Sequence, residues 1–478
     1  LGAQGARAAG AGEPVAILGA GVSGLTAAYR LKQAGVPFIL YEASPRFGGR
    51  MFTKRNFNAD RMFCELGGEL VDTNHTAVQR LARELGVGLQ SLAPTKHGVS
   101  RNLYYFGGTT YTDAQLVPAV APLVALVDAD LKVIFAGGPR RMITYKDPAG
   151  AARWDKMTLR EYLDGIQGVD KWVLGAVEMA YVTEYGLDAD KQSALNLHML
   201  TSTKAGPGDF ELFGDSDEAL RLAGGSQRLT DALAQRLGLK DEGAAFYKPG
   251  HELVAISDKG AALKLTFKTA AGTVETNAAR AVCTIPFSVL RNVDGVFELD
   301  MRPQKKASLR EMAYGTNSKL MTGFTSRWWR GGESGAPKAN GGLFADFSSQ
   351  SFWDTSRLQK GERGIMTNYT GGAAGLGRTL EHVGASLADL DLVFPGLSKR
   401  FDGSKALMNW GRYRYNLGSY ICAGPGHYTS HFGSAQETEC GGRLFFAGEH
   451  ASVENGGYMN GGVETGEAAA RRVLAARI

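Results

Sequence analysis

Residues Val15 to Glu42 read VAILGAGVSGLTAAYRLKQAGVPFILYE, and the order of residue types in this stretch decides the fold. Val15 to Leu18 is a short apolar run suited to a buried strand. The turn Gly19-Ala20-Gly21-Val22-Ser23-Gly24 follows, and then LTAAYRLKQAG with helical spacing. A second apolar strand, Pro37 to Tyr41, ends at an acid, Glu42. Strand, glycine turn, helix, strand and acid form the βαβ unit that binds a dinucleotide. Gly19 permits the tight turn, Gly21 lets backbone approach a pyrophosphate, and Gly24 lets helix and strand pack closely. The helix N-terminus offers unsatisfied N–H groups to the phosphates. Glu42, 23 residues after Gly19, is placed to accept ribose hydroxyls.

Working outward, His251 to Ser257 and Ala262 to Lys268 alternate with period two around Asp258, Lys259 and Gly260, an antiparallel hairpin. Ala279 to Pro286 and Arg443 to Gly448 read as buried strands, the second ending in a glycine turn that opens the last helix. The cofactor domain is therefore expected from separated segments, 15–90, 218–302 and 415–478. A second, substrate-facing α+β domain takes 91–217 and 303–414. Helices are expected around 75–85, 158–200 and 375–400, and strands near 318–326 and 363–370. Gly331 to Gly342 is loop by composition.

The chain has 478 residues, 53 Lys plus Arg against 48 Asp plus Glu, and a formal charge of +5. With 21% charged and 44% hydrophobic residues it is neither disordered nor a polybasic nucleic-acid binder. Its 64 glycines, about 13% against a usual ~7%, suit an enzyme with many backbone turns at a ligand. Cys64, Cys283, Cys422 and Cys440 lie far apart without a CxxC, and no HExxH occurs, so no metal site is expected. The longest apolar stretch, Leu116 to Val127, contains Pro118 and Pro122 and falls short of the ~20 residues of a membrane span. Residues 1–14 are Ala/Gly-rich with an A-R-A sequence. They read either as the remnant of an export signal, implying a periplasmic protein, or as a disordered extension of a cytoplasmic one.

The run GAGVSGLTAAYRLKQAG…LYEASPRFGGR…ELGG, together with FFAGEHASVENGGYMNGGVETGEAAARRVL, resembles the flavin-containing amine oxidase superfamily, which includes monoamine oxidases, polyamine oxidases and L-amino acid oxidases. The resemblance runs with gaps from about Val15 to Leu474 and is weak over 90–200. It implies a Rossmann-type, glutathione-reductase-like FAD-binding domain. By this match Gly19 to Gly24, Glu42, Ala43, Gly49 and Arg50 hold the dinucleotide, with Arg50 pairing the pyrophosphate. Gly67, Gly68, Glu69 and Val254 lie along the cofactor. Gly448, Glu449, Gly457, Tyr458 and Met459 contact the ribityl chain and the pyrimidine edge. The lesser alternative for Arg50 is a surface ion pair.

The same resemblance implies the catalytic set. Lys319, in YGTNSKLMTGF, is similar to a family Lys that reaches the flavin through a water. Trp410 packs against the flavin, and Tyr420 and Tyr458 flank the approach as two parallel rings of an apolar slot. Ser419 stands where monoamine oxidases carry the flavin-linking Cys, so FAD is expected to be non-covalent; Cys422 would face another way. The implied reaction is oxidative deamination of an amine with O₂. An L-amino acid oxidase and a dehydrogenase or desaturase that does not use O₂ are the rivals. Leu70 stands where venom-type amino-acid oxidases carry a carboxylate-binding Arg, which favours amines, with Arg412 or Arg414 as substitutes. Glu69 would receive a second amine or form a salt bridge to a nearby Arg. A homodimer is compatible with all of these.

Overall fold

The computed structural model describes residues 13–476 apart from 93–98, 205, 207–210, 242, 332–334 and 336. The expected N-terminal extension therefore lies almost wholly outside the described residues. The architecture is α/β. A five-stranded parallel sheet runs in the order Tyr247–Lys248, Phe38–Tyr41, Val15–Leu18, Ala281–Cys283, Leu444–Phe446. Its strands come from distant parts of the chain. Val15–Leu18, Ala281–Cys283 and Leu444–Phe446 are apolar and buried throughout, as strands covered on both faces must be. Helices Val22–Gln33, Gln227–Leu237 and Met459–Ala475 pack with this sheet. Leu25, Leu31, Leu229, Leu233, Val463 and Val473 join Ile17, Val282 and Phe445 in one core.

The hairpin expected after His251 is present as Glu252–Asp258 and Leu263–Thr269. A third strand, Gly272–Ala278, extends it to a meander. Its pattern is exposed at almost every position, so it carries no hydrophobic alternation to betray it.

A seven-stranded sheet forms the other half in the order Phe401–Asn409, Ser318–Phe324, Gly364–Thr370, Ser351–Asp354, Ala339–Ala345, Ser100–Phe106, Thr109–Thr112. Only the pairing of Ala339–Ala345 with Ser100–Phe106 is parallel. The strands near 318–326 and 363–370 are where the pattern puts them. The segment 331–342 is not all loop, because Ala339 begins a strand whose alternate residues are buried.

Helices Thr76–Glu84, Leu159–Asp164, Lys171–Tyr185, Leu195–Leu200 and Val383–Val393 match the expected helical regions. The 22-residue helix Asp113–Ile134 was not expected, because Pro118 and Pro122 lie inside it. Leu116, Val120, Leu123, Val124, Val127, Leu131 and Ile134 form a buried stripe at helical spacing. That burial outweighs the two missing N–H donors. Thr112 and Gln115 close a capping box at its start. Among the described residues no helix is long and apolar enough to cross a membrane.

Candidate active site

One cavity of about 850 Å³ runs between the two sheet systems. At one end it is lined by Gly19, Gly21, Val22, Ser23, Glu42, Ala43, Gly49 and Arg50. Gly19 has φ +108°, a conformation that disfavours a side chain. Gly24 and Ala20 are not on the cavity wall. Gly24 is a packing residue, since a Cβ there would be driven into the Gly19 carbonyl oxygen. Ala20 donates its N–H to Glu42 Oε2 at 2.7 Å, and Ser44 N–H donates to Oε1 at 2.8 Å. These bonds fix the acid at the strand end. Val254 does not line the cavity either. His251, Glu252 and Leu253 form that wall, while the Val254 carbonyl accepts from Asp294 N–H at a bulge in the hairpin.

Arg50 is neither a solvated ion pair nor alone. It donates to Glu449 Oε1 at 2.8 Å and to the Ser419 carbonyl at 2.7 Å. Glu449 Oε2 accepts from Gly457 N–H at 2.9 Å. The pair therefore ties together three loops around the cavity, and Gly448, Gly457, Tyr458 and Met459 line it where helix Met459–Ala475 begins. Ser419 turns its hydroxyl to Asn317 Oδ1 at 2.5 Å. Cys422 is off the cavity wall, with Asn196 Nδ2 at 3.5 Å from its sulfur.

Away from the glycine turn, the cavity is lined by Lys319, buried on strand Ser318–Phe324, the second strand of the seven-stranded sheet. Its Nζ donates to the Gly67 carbonyl at 2.8 Å and to Glu69 Oε2 at 3.1 Å. Glu69 thus has a salt-bridge partner, but it is Lys319 rather than an Arg. Trp353 Nε1 and Thr355 Oγ1 also donate to Glu69, at 3.2 and 3.1 Å. The ammonium sits 5.0 Å from the Trp353 ring centroid. Trp410 donates its Nε1–H to the Leu66 carbonyl at 2.8 Å. Gly67 has no room for a side chain, since a Cβ would lie 3.2 Å from the Trp410 ring and closer still to the Arg50 carbonyl. Gly68 faces Met459.

The slot between Tyr420 and Tyr458 is less apolar than the sequence suggests. Tyr458 Oη donates to Glu184 Oε1 at 3.1 Å and lies 3.3 Å from Ser216 Oγ. Tyr420 Oη donates to the backbone carbonyl of the same Glu184, and Tyr369 Oη lies 2.8 Å from Tyr420 Oη. Desolvation, helped by the nearby Glu218 and Asp72 charges, pushes the Glu184 carboxyl up to about 8. Glu218 is itself pushed up to about 7 by burial, against the pull of Arg101. It holds φ +48°, strained for a non-glycine residue.

Glu184, Glu218, Tyr369, Trp353 and Arg357 line the cavity, and sequence reasoning missed them all. A lone Glu near a helix end reads as solvated; the only signal was its place in an aromatic run, AYVTEYG. The Arg357 guanidinium makes one hydrogen bond among the described residues, from Nε to the Asp354 carbonyl at 3.2 Å. Arg414 is taken up by Glu252 at 2.6 Å. Arg412 bonds the Leu376 carbonyl and is not on the cavity wall. Leu70 lines the cavity.

A model of the flavin containing amine oxidoreductase family matches residues 22–474. A flavin-containing amine oxidase of Oncorhynchus mykiss is 24% identical over 497 residues, covering 96% of this chain and 85% of the relative. The flavin-dependent L-tryptophan oxidase RebO of Lentzea aerocolonigenes is 25% identical over 498 residues, covering 96% and 98%. Among solved structures, cyclohexylamine oxidase from Brevibacterium oxydans IH-35A superposes with a TM-score of 0.78 at 19% identity, covering 97% of this chain and 99% of that one. Putrescine oxidase bound to putrescine gives 0.75 at 19% identity, with the same coverage.

Proposed function

Since the chain belongs to the flavin-containing amine oxidoreductase family, we propose that it is an FAD-dependent oxidase that deaminates a small amine. An amine, O₂ and water become a carbonyl compound, ammonia and H₂O₂. The observation that carries this reading is the continuity of one cavity. It joins the glycine turn and Glu42 at one end to Lys319, Tyr420 and Tyr458 at the other.

The lining fits a flavin dinucleotide. The N-terminal ends of helices Val22–Gln33 and Met459–Ala475 both open on the cavity and supply N–H donors with a positive dipole end. Glu42 is already oriented by two backbone N–H groups, and Gly67 offers a surface that no side chain could share. The five-stranded parallel sheet with its flanking helices would be the Rossmann-type FAD-binding domain. The seven-stranded sheet and the helices of 113–200 would be the substrate domain. Ser419 cannot form a thioether, so the cofactor would be held without a covalent link.

When bound, FAD would take a hydride equivalent from the carbon bearing the nitrogen and pass the electrons to O₂. The residues of this chain do the rest. Trp410 and the Gly67–Gly68 backbone shape the floor, and the tyrosines orient the amine. Lys319 holds a fixed positive charge in a water-poor site, where reduction of O₂ builds negative charge.

A second reading, an L-amino acid oxidase, is favoured by Arg357. It brings a guanidinium with unused donors to the cavity wall, and a planar fork suits an α-carboxylate. One experiment separates the readings. The purified yellow protein is mixed anaerobically with benzylamine, cyclohexylamine, putrescine, L-tryptophan or L-lysine, and flavin bleaching is followed before air is admitted and peroxide measured. Bleaching by amines with peroxide release is expected. Bleaching by amino acids alone selects the second reading, and bleaching without peroxide selects a dehydrogenase. Acid precipitation should leave the yellow colour in the supernatant.

A further inference from the structure

We propose that the Glu184 carboxylate takes the proton from the incoming substrate ammonium in the gap between Tyr458 and Tyr420, so that the amine reaches its reacting position neutral. The proposal rests on the amine-oxidase reading and adds a catalytic residue to it.

An amine of ordinary basicity arrives from neutral water as an ammonium, whose nitrogen has no lone pair to assist loss of hydride from the adjoining carbon. Something must remove that proton inside the cavity. Lys319 is a cation already paired with Glu69, and His251, the histidine on the cavity wall, sits beside Glu42 at the glycine-turn end, donating its backbone N–H to the Glu42 carbonyl. Glu184 is at the right place by two contacts of its own and one link beyond them. Its side chain receives the Tyr458 hydroxyl, its backbone carbonyl receives the Tyr420 hydroxyl, and Tyr420 is linked through Tyr369 to the aromatic wall around Lys319. An amine held between the two tyrosines therefore lies beside this carboxyl.

Glu184 also lacks a cation of its own. The charged and titratable groups that face it are Glu218 and Asp72 from the opposite wall, Tyr458, Tyr420 and Tyr369 around the gap, and Tyr181 and Tyr185 on its own helix. No Lys or Arg forms a salt bridge with it among the described residues, and Oε2 makes no hydrogen bond there. Its helix, Lys171–Tyr185, ends one residue later, so the negative end of the dipole adds to the unfavourable field. A carboxylate in this setting strongly prefers either a proton or a cation. An arriving ammonium offers both in turn. It first neutralises the site as an ion pair, and then gives up its proton. In that step an N–H bond of the substrate breaks, an O–H bond forms at Glu184, and no electrons change hands. The proton returns to water as the product leaves.

The test is the pH dependence of anaerobic flavin reduction, measured as the rate at low benzylamine concentration from pH 6 to 10. In the wild type this rate should rise as Glu184 ionises near pH 8 and then level off. Glu184→Gln should be ~10–100-fold slower at pH 7, a loss of ~1.4–2.8 kcal/mol in barrier terms. It should climb steadily and approach the wild type once benzylamine is neutral in solution. A β-fluorinated amine, largely neutral at pH 8, should close most of the gap at that pH. Glu184→Asp should keep the levelled profile at reduced rate, and FAD content and circular dichroism identify any variant that has not folded. A Glu184→Gln rate lowered equally at every pH, or unchanged, overturns the proposal. If no amine bleaches the wild type, the amine-oxidase reading itself has failed, which the variant comparison cannot mimic.

Discussion

At the scale of single residues, the Lys319–Glu69 pair changes what a substitution at Lys319 means. The charge expected to assist O₂ is also half of a buried ion pair, with both side chains less than a tenth exposed. Removing one partner of such a pair leaves the other uncompensated, at ~3–5 kcal/mol. Lys319→Met is therefore expected to lower the melting temperature as well as to slow the O₂ half-reaction at least tenfold, a ~1.4 kcal/mol effect. Lys319→Met with Glu69→Gln should recover most of the stability and none of the O₂ reactivity. Stopped-flow measurement of both half-reactions, beside thermal melts, checks this. Recovery of O₂ reactivity in the double variant would show that the charge itself is not what matters. Glu42 offers the contrasting case. Its carboxylate is oriented by the N–H groups of Ala20 and Ser44 and faces only the cofactor end of the cavity. Glu42→Ala should lose ~1.5–3 kcal/mol of FAD affinity, purify partly as apoprotein and regain its rate in excess FAD. A rate that stays low at saturating FAD would contradict that separation.

At the scale of elements, the glycines divide by what their missing side chain would strike. Gly24 on helix Val22–Gln33 sits against the Gly19 carbonyl oxygen, which belongs to the turn and cannot move without moving the strand. A Cβ at Gly68 would lie 2.9 Å from Met459 Cγ, part of the flexible side chain at the start of the last helix. Gly24→Ala is expected to abolish FAD retention, whereas Gly68→Ala should remain yellow with weakened affinity. Absorbance ratios of the purified variants decide it, and equal FAD loss in both would refute the distinction. The turn, its strand and its helix were legible because residue type and spacing agree at every position of Val15 to Glu42. Helix Asp113–Ile134 was hidden by its prolines, and Gly272–Ala278 by its lack of an apolar face. Within the site, Lys319, Trp410, Tyr420 and Tyr458 could be picked out because neighbouring residues carry a motif. Glu184 and Glu218 could not, because only the fold brings Glu184 to the tyrosine hydroxyls and Glu218 close to it. Arg357 likewise acquires meaning only once the strand before it places its guanidinium on the cavity wall.

At the scale of the whole molecule, the unusual carboxyls act together on stability. Glu65 is 2% exposed and pushed up to about 7, chiefly by desolvation and then by the Glu69 charge. Glu184 and Glu218 are raised in the same direction. A carboxyl whose folded pKa lies above its unfolded value holds its proton in the native state after the unfolded chain has lost it. Stability is therefore greatest below the unfolded value near 4.5 and falls as pH rises through the folded value near 7. The apoprotein should accordingly melt lower at pH 8 than at pH 5. FAD raises the melting temperature at both pH values by mass action. It should not remove the share due to Glu65, which does not line the cavity. Glu65 instead joins two parts of the fold, accepting from Thr53 Oγ1 at 2.9 Å, Ser226 N at 2.8 Å and Ser226 Oγ at 2.9 Å. Glu65→Gln keeps the shape but not the charge. At pH 5 it replaces a neutral carboxyl with an amide that meets several donors, so it should be neutral or mildly destabilising. At pH 8 it replaces an ionised group whose burial costs ~1–3 kcal/mol, so its standing against the wild type should improve by that amount. Melts of the FAD-saturated pair at pH 5 and pH 8 give the comparison. A difference between variant and wild type that does not change with pH would mean that the three donors around Glu65 already hold it ionised in the acid range.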